Sequence, residues 1–301
     1  MNKVTIPARP CGSVAVAMVT PFFEDGSLDT ESCQKLAEKL VDDGCDALVL
    51  SGTTGESPTT HQPEKDELVR AVKAAVGDRA MVIAGAGSND TAHAVRMAKS
   101  AEKSGADALL VLAPYYNRPS QEGVYQHIRA VTESTGLPVM LYDIPGRTGV
   151  KIADDTLLRL AELEQVVAVK DATGDVAAGL RKMHNTGLAY YSGDDSLNFS
   201  WLAHGASGVV SVAGHVIGAR LRSLVELIDA GDIAGAREEF YSQLPMIDAI
   251  MGTGQGAVMA KEALKMLGVI PYATLRLPLV GANAAELESL HAALAAAGYL
   301  S

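Results

Sequence analysis

The sequence is short of aromatic residues. Four Phe, nine Tyr and one Trp make up 5% of 301 residues, so any core must be built from aliphatic side chains. Cysteine is scarce too. Cys11, Cys33 and Cys45 form no C-x-x-C pair, and their odd number argues against a closed disulfide framework; a reducing, cytoplasmic setting fits. No apolar run has the length of a transmembrane helix. The short run Val14–Val19 leads straight into Thr20-Pro21 and reads as a first strand, not a signal peptide. No long segment is low in apolar content, and 48% hydrophobic with 20% charged residues argues against wholesale disorder. A basic stripe is missing as well, and the net charge is −11, so nucleic acid and anionic membranes are poor partners. A local cationic pocket can still take a small anionic substrate. The histidines show no H-E-x-x-H or comparable spacing, so no metal site is expected.

What is there is a repeat. Apolar runs of strand length recur at Ser13–Val19, Ala47–Leu50, Met81–Ala86, Ala108–Ala113, Val139–Ile144, Val166–Val169, Ala189–Ser192 and Gly208–Val212. Each is followed by an amphipathic segment, several opened by Asp or Ser and closed by Gly: Asp29–Asp43 with Gly44, Asp90–Ser104 with Gly105, Ser120–Thr135 with Gly136. A strand that returns through a helix pairs in parallel, and runs apolar on both faces are buried on both faces. Eight such units predict an α/β fold, a (β/α)8 TIM barrel; an open doubly wound sheet is the alternative. Past Gly231 the strands stop, and Asp232–Met251, Ala257–Leu267 and Ala284–Ala297 read as helices. The expected organisation is a barrel over 1–231 and a C-terminal helical appendage over 232–301.

In a barrel of this kind reactive groups lie where strands end. The second strand runs into Ser51-Gly-Thr-Thr-Gly-Glu-Ser57, whose amides can approach an anion or simply form a tight turn. The Gly-Lys-Ser/Thr of a phosphate loop is absent. Gly85-Ala-Gly87 is half a dinucleotide fingerprint, with Asp90 where the third glycine belongs. The fourth strand is followed by Pro114-Tyr115-Tyr116, the fifth by Tyr142-Asp-Ile-Pro-Gly-Arg147. Arg147 can present a planar fork to a carboxylate, or be a solvated loop charge. Ser192-Gly193-Asp194-Asp195 reads as a turn with an N-cap. The sharpest signal is Lys170. Lys35, Lys39, Lys65, Lys73, Lys99, Lys103, Lys182, Lys261 and Lys265 read as lysines on polar helix faces, Lys3 is terminal and Lys151 is in a loop; Lys170 alone directly continues an apolar strand. Desolvation there lowers a lysine's pKa and frees its amine to attack a carbonyl. The alternatives are an ammonium that snorkels to water or pairs with Asp171.

Taken together, Gly52-Thr-Thr-Gly-Glu-Ser57, the Pro114–Gly123 loop, Tyr142–Arg147, Val169-Lys-Asp-Ala-Thr-Gly174, Ser192–Asp195 and Arg276-Leu-Pro278 closely resemble the dihydrodipicolinate synthase family of pyruvate-dependent class I aldolases. The likeness runs in order along essentially the whole chain. It implies that Lys170 forms an imine with pyruvate, which then condenses with aspartate semialdehyde in lysine and diaminopimelate biosynthesis. It implies proton traffic through Tyr142, Thr54 and Tyr116, with Tyr116 lent across a subunit interface in a homodimer or a dimer of dimers. It implies that Thr53 and Thr54 amides hold the pyruvate carboxylate, Arg147 the aldehyde's carboxylate, and that Gly193 and Val210 line the imine pocket. No metal or organic cofactor is implied.

One departure concerns regulation. Lysine-inhibited relatives receive lysine with a His and a Glu where Lys65 and His93 stand here, although Ser57, Asn89 and Tyr115 match. A cation facing the ligand's amine is unfavourable, so weak or absent lysine feedback is expected. Two other functions fit less of the sequence: a sister lyase acting on a sialic acid or 2-keto-3-deoxy sugar acid, and a non-catalytic metabolite-binding barrel.

Overall fold

Strand order follows from the patterning. In the computed structural model, which describes residues 7–300, every apolar run becomes a parallel strand: β1 Val14–Ala17, β2 Ala47–Leu50, β3 Met81–Gly85, β4 Ala108–Leu112, β5 Val139–Asp143, β6 Val166–Asp171, β7 Ala189–Ser192 and β8 Gly208–Ser211. Lys3 lies outside the described residues. Neighbours pair in sequence order, and β8 closes on β1 through Val14↔Val209, Ala15↔Val210 and Val16↔Ser211. The α/β barrel expected from the repeat is the observed fold.

Side chains alternate across the barrel wall. Ala15, Val49, Ile83, Leu110, Met140, Tyr142, Ala168, Tyr191 and Val210 fill the interior. Val14, Val16, Leu48, Val82, Leu109, Val111, Leu141, Val169 and Tyr190 face outward, where the helices cover them. Those helices are α1 Thr30–Asp42, α2 Gln62–Val76, α3 Thr91–Lys103, α4 Gln121–Thr132, the single turn α5 Pro145–Thr148, α6 Asp154–Leu160, α7 Val176–Thr186, α8 Asn198–Ala203 and α9 Gly214–Asp229. Asp29, Asp90 and Ser120 cap α1, α3 and α4 with side-chain acceptors, as their positions suggest, and Asp175 caps α7 in the same way. After α9 come α10 Ile233–Ile247, α11 Gly256–Met266 and α12 Ala284–Ala296. The segment read as one helix to Met251 changes to a π-turn at Asp248–Gly252, three residues beyond Pro245.

Two buried polar contacts join parts of the chain far apart in sequence. The Val19 amide donates to His215 Nε2 at 3.0 Å, and the ring's Nδ1–H donates to the Val212 carbonyl at 2.7 Å. This neutral imidazole joins the end of β1 to the start of α9. Burial pushes its pKa down to about 4, against the upward pull of the Val212 carbonyl. Below pH ~6.5 the unfolded chain therefore takes up a proton that the native ring refuses. Stability is full above that pH and falls with a slope of at most ~1.4 kcal/mol per pH unit down to about pH 4, a loss of roughly 3 kcal/mol. Urea unfolding midpoints at pH 7 and pH 5 check this: wild type is expected to lose more stability on acidification than His215→Gln.

The second contact corrects the lysine reading. Lys65, Lys182 and Lys261 are not on polar helix faces; they are 7%, 8% and 0% exposed. Lys261 on α11 meets Glu56 Oε1 at 2.5 Å and the Thr274 carbonyl at 2.7 Å. The Arg276 amide donates to Glu56 Oε2 at 2.9 Å, and the Arg276 guanidinium reaches Glu64, Gly26 and Thr59. Both cations also lie over the Phe22 ring, each 4.2 Å from its centroid. The C-terminal segment is thus fastened to the loop that follows β2.

Candidate active site

Lys170 sits inside β6 rather than just beyond it, because the strand's ladder continues through Asp171. Its register partner on β5 is Tyr142. Alternation turns both into the barrel, and the Lys170 ammonium lies 4.3 Å from the Tyr142 ring centroid. Lys170 is 5% exposed, and no ion pair or hydrogen bond holds it among the described residues. The possible pairing with Asp171 does not occur. Asp171 faces outward and accepts from the Thr173 amide at 2.9 Å and its hydroxyl at 2.8 Å. Lys170 is thus a buried lysine inside the barrel with no counter-ion among the described residues, at the strand end where a side-chain amine can meet a carbonyl.

The space around that amine is set by glycine. A Cβ on Gly193 would come 2.8 Å from the Asp171 carbonyl and 3.0 Å from Lys170 Cγ. Val210, 2% exposed on β8, belongs to the same interior cluster as Tyr142 and Ala168. Gly193 is therefore at Lys170, and Val210 is in the barrel interior that Lys170 enters.

The loop after β2 is a tight turn closed by its own backbone. Ser51 and Glu56 adopt φ +52° and +53°, and the turn closes through Glu56 N–H to the Thr53 carbonyl at 3.1 Å and Ser57 N–H to the Gly52 carbonyl at 3.2 Å. Among the described residues the Thr53 and Thr54 amides have no protein acceptor, which leaves them free for a ligand. Gly85 is explained by this loop: a Cβ there would lie 2.3 Å from the Ser51 carbonyl. On Gly87 it would lie 2.0 Å from Leu112 Cδ2. The two glycines of the half fingerprint serve close packing, with no need of a dinucleotide.

A cavity of about 410 Å³ opens beside this loop, and its wall includes Thr53, Tyr142, Arg147, Tyr115, Lys65 and His93. Arg147 projects from α5, the turn stopped by Gly149 at φ +76°, and is exposed on the cavity wall. No Asp or Glu lines this cavity, in a chain of net charge −11. Lys170, Thr54, Gly193 and Val210 do not line it; the Tyr142 ring connects the two regions. Tyr116 stands apart. It is 89% exposed with φ +73°, and one chain alone does not bring its hydroxyl to Tyr142 or Thr54.

Residues 10–297 match the Dihydrodipicolinate synthetase family. The chain belongs to this family. A 4-hydroxy-tetrahydrodipicolinate synthase of Bifidobacterium longum is 52% identical over 295 residues, 98% of this chain and 97% of that one. One from Mycolicibacterium paratuberculosis is also 52% identical, over 98% and 97%. Among solved structures, a dihydrodipicolinate synthase from Cyanidioschyzon merolae with lysine bound has a TM-score of 0.94 at 39% identity, covering 97% of this chain and all of that one. One from Bacillus anthracis has a TM-score of 0.92 at 42% identity, covering 96% and 99%.

Within this family frame some residues of the site had no functional reading in sequence. Glu56 was visible only as part of a turn; its partner Lys261 is 205 residues away. In the sequence Asp195 is visible only as part of the Ser192–Asp195 turn with an N-cap. Asp194 makes that cap, whereas Asp195 is buried and accepts from the Ser211 hydroxyl at 2.5 Å and from the Val212 and Ala213 amides at 2.9 Å. It ties the Gly193 turn to the end of β8. Among the described residues no group of His, Cys, Asp and Glu is placed to hold a metal ion, and no helix is long and apolar enough to cross a membrane.

Proposed function

We propose that the protein is a 4-hydroxy-tetrahydrodipicolinate synthase of the cytoplasm that condenses pyruvate with L-aspartate 4-semialdehyde. The observation that carries the reading is Lys170: buried, unpaired, register-matched to Tyr142 and backed by Gly193. The neutral amine attacks C2 of pyruvate, and loss of water leaves an iminium. The iminium withdraws electrons, so the methyl group gives up a proton and becomes an enamine carbon. That carbon attacks the aldehyde. The amine of the semialdehyde then attacks the imine carbon, closes the ring and displaces Lys170.

Each step moves a proton, and Tyr142, Thr54 and Tyr116 are the hydroxyls assigned to it. Thr53 and Thr54 amides would receive the pyruvate carboxylate, where charge is best held by fixed dipoles. Arg147 would receive the carboxylate of the semialdehyde. Gly193 and Val210 would shape the imine pocket. Pyruvate consumption with aspartate semialdehyde, against consumption with an N-acetylated or deoxy sugar aldehyde, tests the assignment. Strong preference for the semialdehyde supports it; preference for a sugar aldehyde would make the chain a sister lyase.

The exposure of Tyr116 supports a homo-oligomer in which each chain completes its neighbour's site, in a dimer or a dimer of dimers. Tyr116→Ala and Lys170→Ala should each be inactive alone. Mixed in one assembly, they should restore about a quarter of wild-type activity, because half of random pairs are mixed and each holds one intact site. No recovery from a verified mixed assembly would place Tyr116 outside its partner's site.

Lysine feedback should be weak or absent. Burial pushes Lys65 down to about 8, and its ammonium donates to the Ser57 carbonyl at 2.7 Å and the Thr60 hydroxyl at 3.0 Å. The cavity wall it shares with His93 offers no carboxylate to a ligand's amine. Inhibition by sub-millimolar lysine in a steady-state assay would contradict this.

A further inference from the structure

Behind the wall that presents Tyr142 and Lys170, the next residue of each strand is an aspartate. Asp143 and Asp171 are register partners, each 3% exposed, on the outward face beneath α7. Two buried carboxylates side by side are costly. Lys182 of α7, 8% exposed, meets the first of them: its ammonium lies 3.5 Å from Asp143 Oδ2, and 3.8 Å from Asp154. Burial pushes Asp143 up to about 6 and Asp171 upward as well, while Lys182 pulls both down.

The group also holds a third element. The Ile152 amide donates to Asp143 Oδ1 at 3.2 Å, and Lys182 donates to the Ile152 carbonyl at 2.9 Å. Ile152 is 1% exposed and lies four residues beyond α5, the turn that carries Arg147. Gln121 of α4 holds the flanking backbone, donating to the Lys151 carbonyl at 2.8 Å and accepting from the Ala153 amide at 2.9 Å. Arg147 itself is exposed on its short turn. Its place at the cavity therefore depends on how firmly the chain is held on either side.

We propose that Asp143 and Lys182 are positioning residues for the reaction: together they grip both sides of the Ile152 peptide and hold the Arg147 turn at the cavity. This rests on the reading of Arg147 as the receiver of the aldehyde's carboxylate. It makes a distinction that a general loss of packing does not. Pyruvate is assigned to Lys170 and the Thr53–Thr54 loop, so its binding should survive; binding of the semialdehyde should not.

The test uses the full-length protein and two variants. Lys182→Met removes the donor and the charge at similar volume. Asp143→Asn keeps an acceptor for the Ile152 amide. Lys182→Met is expected to raise KM for aspartate semialdehyde by about tenfold, and Asp143→Asn by about threefold, with KM for pyruvate within about twofold of wild type. If Lys182→Met yields no folded protein, Asp143→Asn decides by the same split. Borohydride trapping of pyruvate on each purified protein separates the two levels of the argument. A trapped adduct with both KM values unchanged, or rising together, overturns the grip on Ile152. No adduct on wild-type Lys170 overturns the site assignment beneath it.

Discussion

Lys170→Ala is expected to lower kcat by at least roughly 10⁴-fold, since without the amine neither the iminium nor the enamine can form. The same variant should melt at or above the wild-type temperature. Lys170 is 5% exposed with no ion pair, so the native state carries the cost of its desolvation without compensation from a counter-charge. Removing it relieves that cost, partly offset by the lost packing of its stem against Tyr142 and Gly193. Inactivity with preserved or raised stability is the signature of a residue kept for chemistry. Thermal melting and steady-state kinetics on one preparation read both. An inactive variant that melts well below wild type would make Lys170 a structural residue.

Lys261→Met should do the opposite, costing about 3–5 kcal/mol of stability by leaving the Glu56 carboxylate 2% exposed without its cation. The Arg276 amide still donates to Glu56, which places the loss toward the lower end. Glu56→Gln combined with Lys261→Met should recover much of it, because no uncompensated charge is then buried. Denaturant unfolding of the two single variants and the double variant measures the coupling. Additive losses would mean that the pair is not what fastens the loop. The single variants should also raise KM for pyruvate. Glu56 is the residue after Gly55, at φ +53°, in the loop whose Thr53 and Thr54 amides are assigned to the pyruvate carboxylate.

The barrel was legible in sequence because its cause is local. Each strand is a short apolar run, each helix has its own stripe and often its own cap, and parallel pairing in order follows from alternation of the two. Lys170 was legible for the same reason, as a charged residue directly continuing an apolar strand. What it faces was not legible. Asp171 is adjacent in sequence yet points through the opposite side of the wall, while Tyr142, 28 positions away, is its register partner. The buried lysines were misread because amphipathic periodicity marks a helix face as inward or outward but does not show that a carboxylate waits inside. Lys261 is buried because Glu56 is there, and nothing near Lys261 in the chain announces it. Lys182 is buried by Asp143 and the Ile152 carbonyl in the same way. Tyr116 is a third kind of case. In the proposed relay its partners would come from another copy of the chain, and its surroundings in one chain, where it is 89% exposed, do not disclose a role.

The central claim is that Lys170 captures pyruvate as an imine. Incubation of the folded protein with pyruvate and borohydride, followed by intact mass and peptide mapping, tests it without reference to the second substrate. The account predicts one reduced pyruvyl adduct per chain, mapped to Lys170 and lost in Lys170→Ala. No adduct on folded wild-type protein, or an adduct on another lysine, would contradict it.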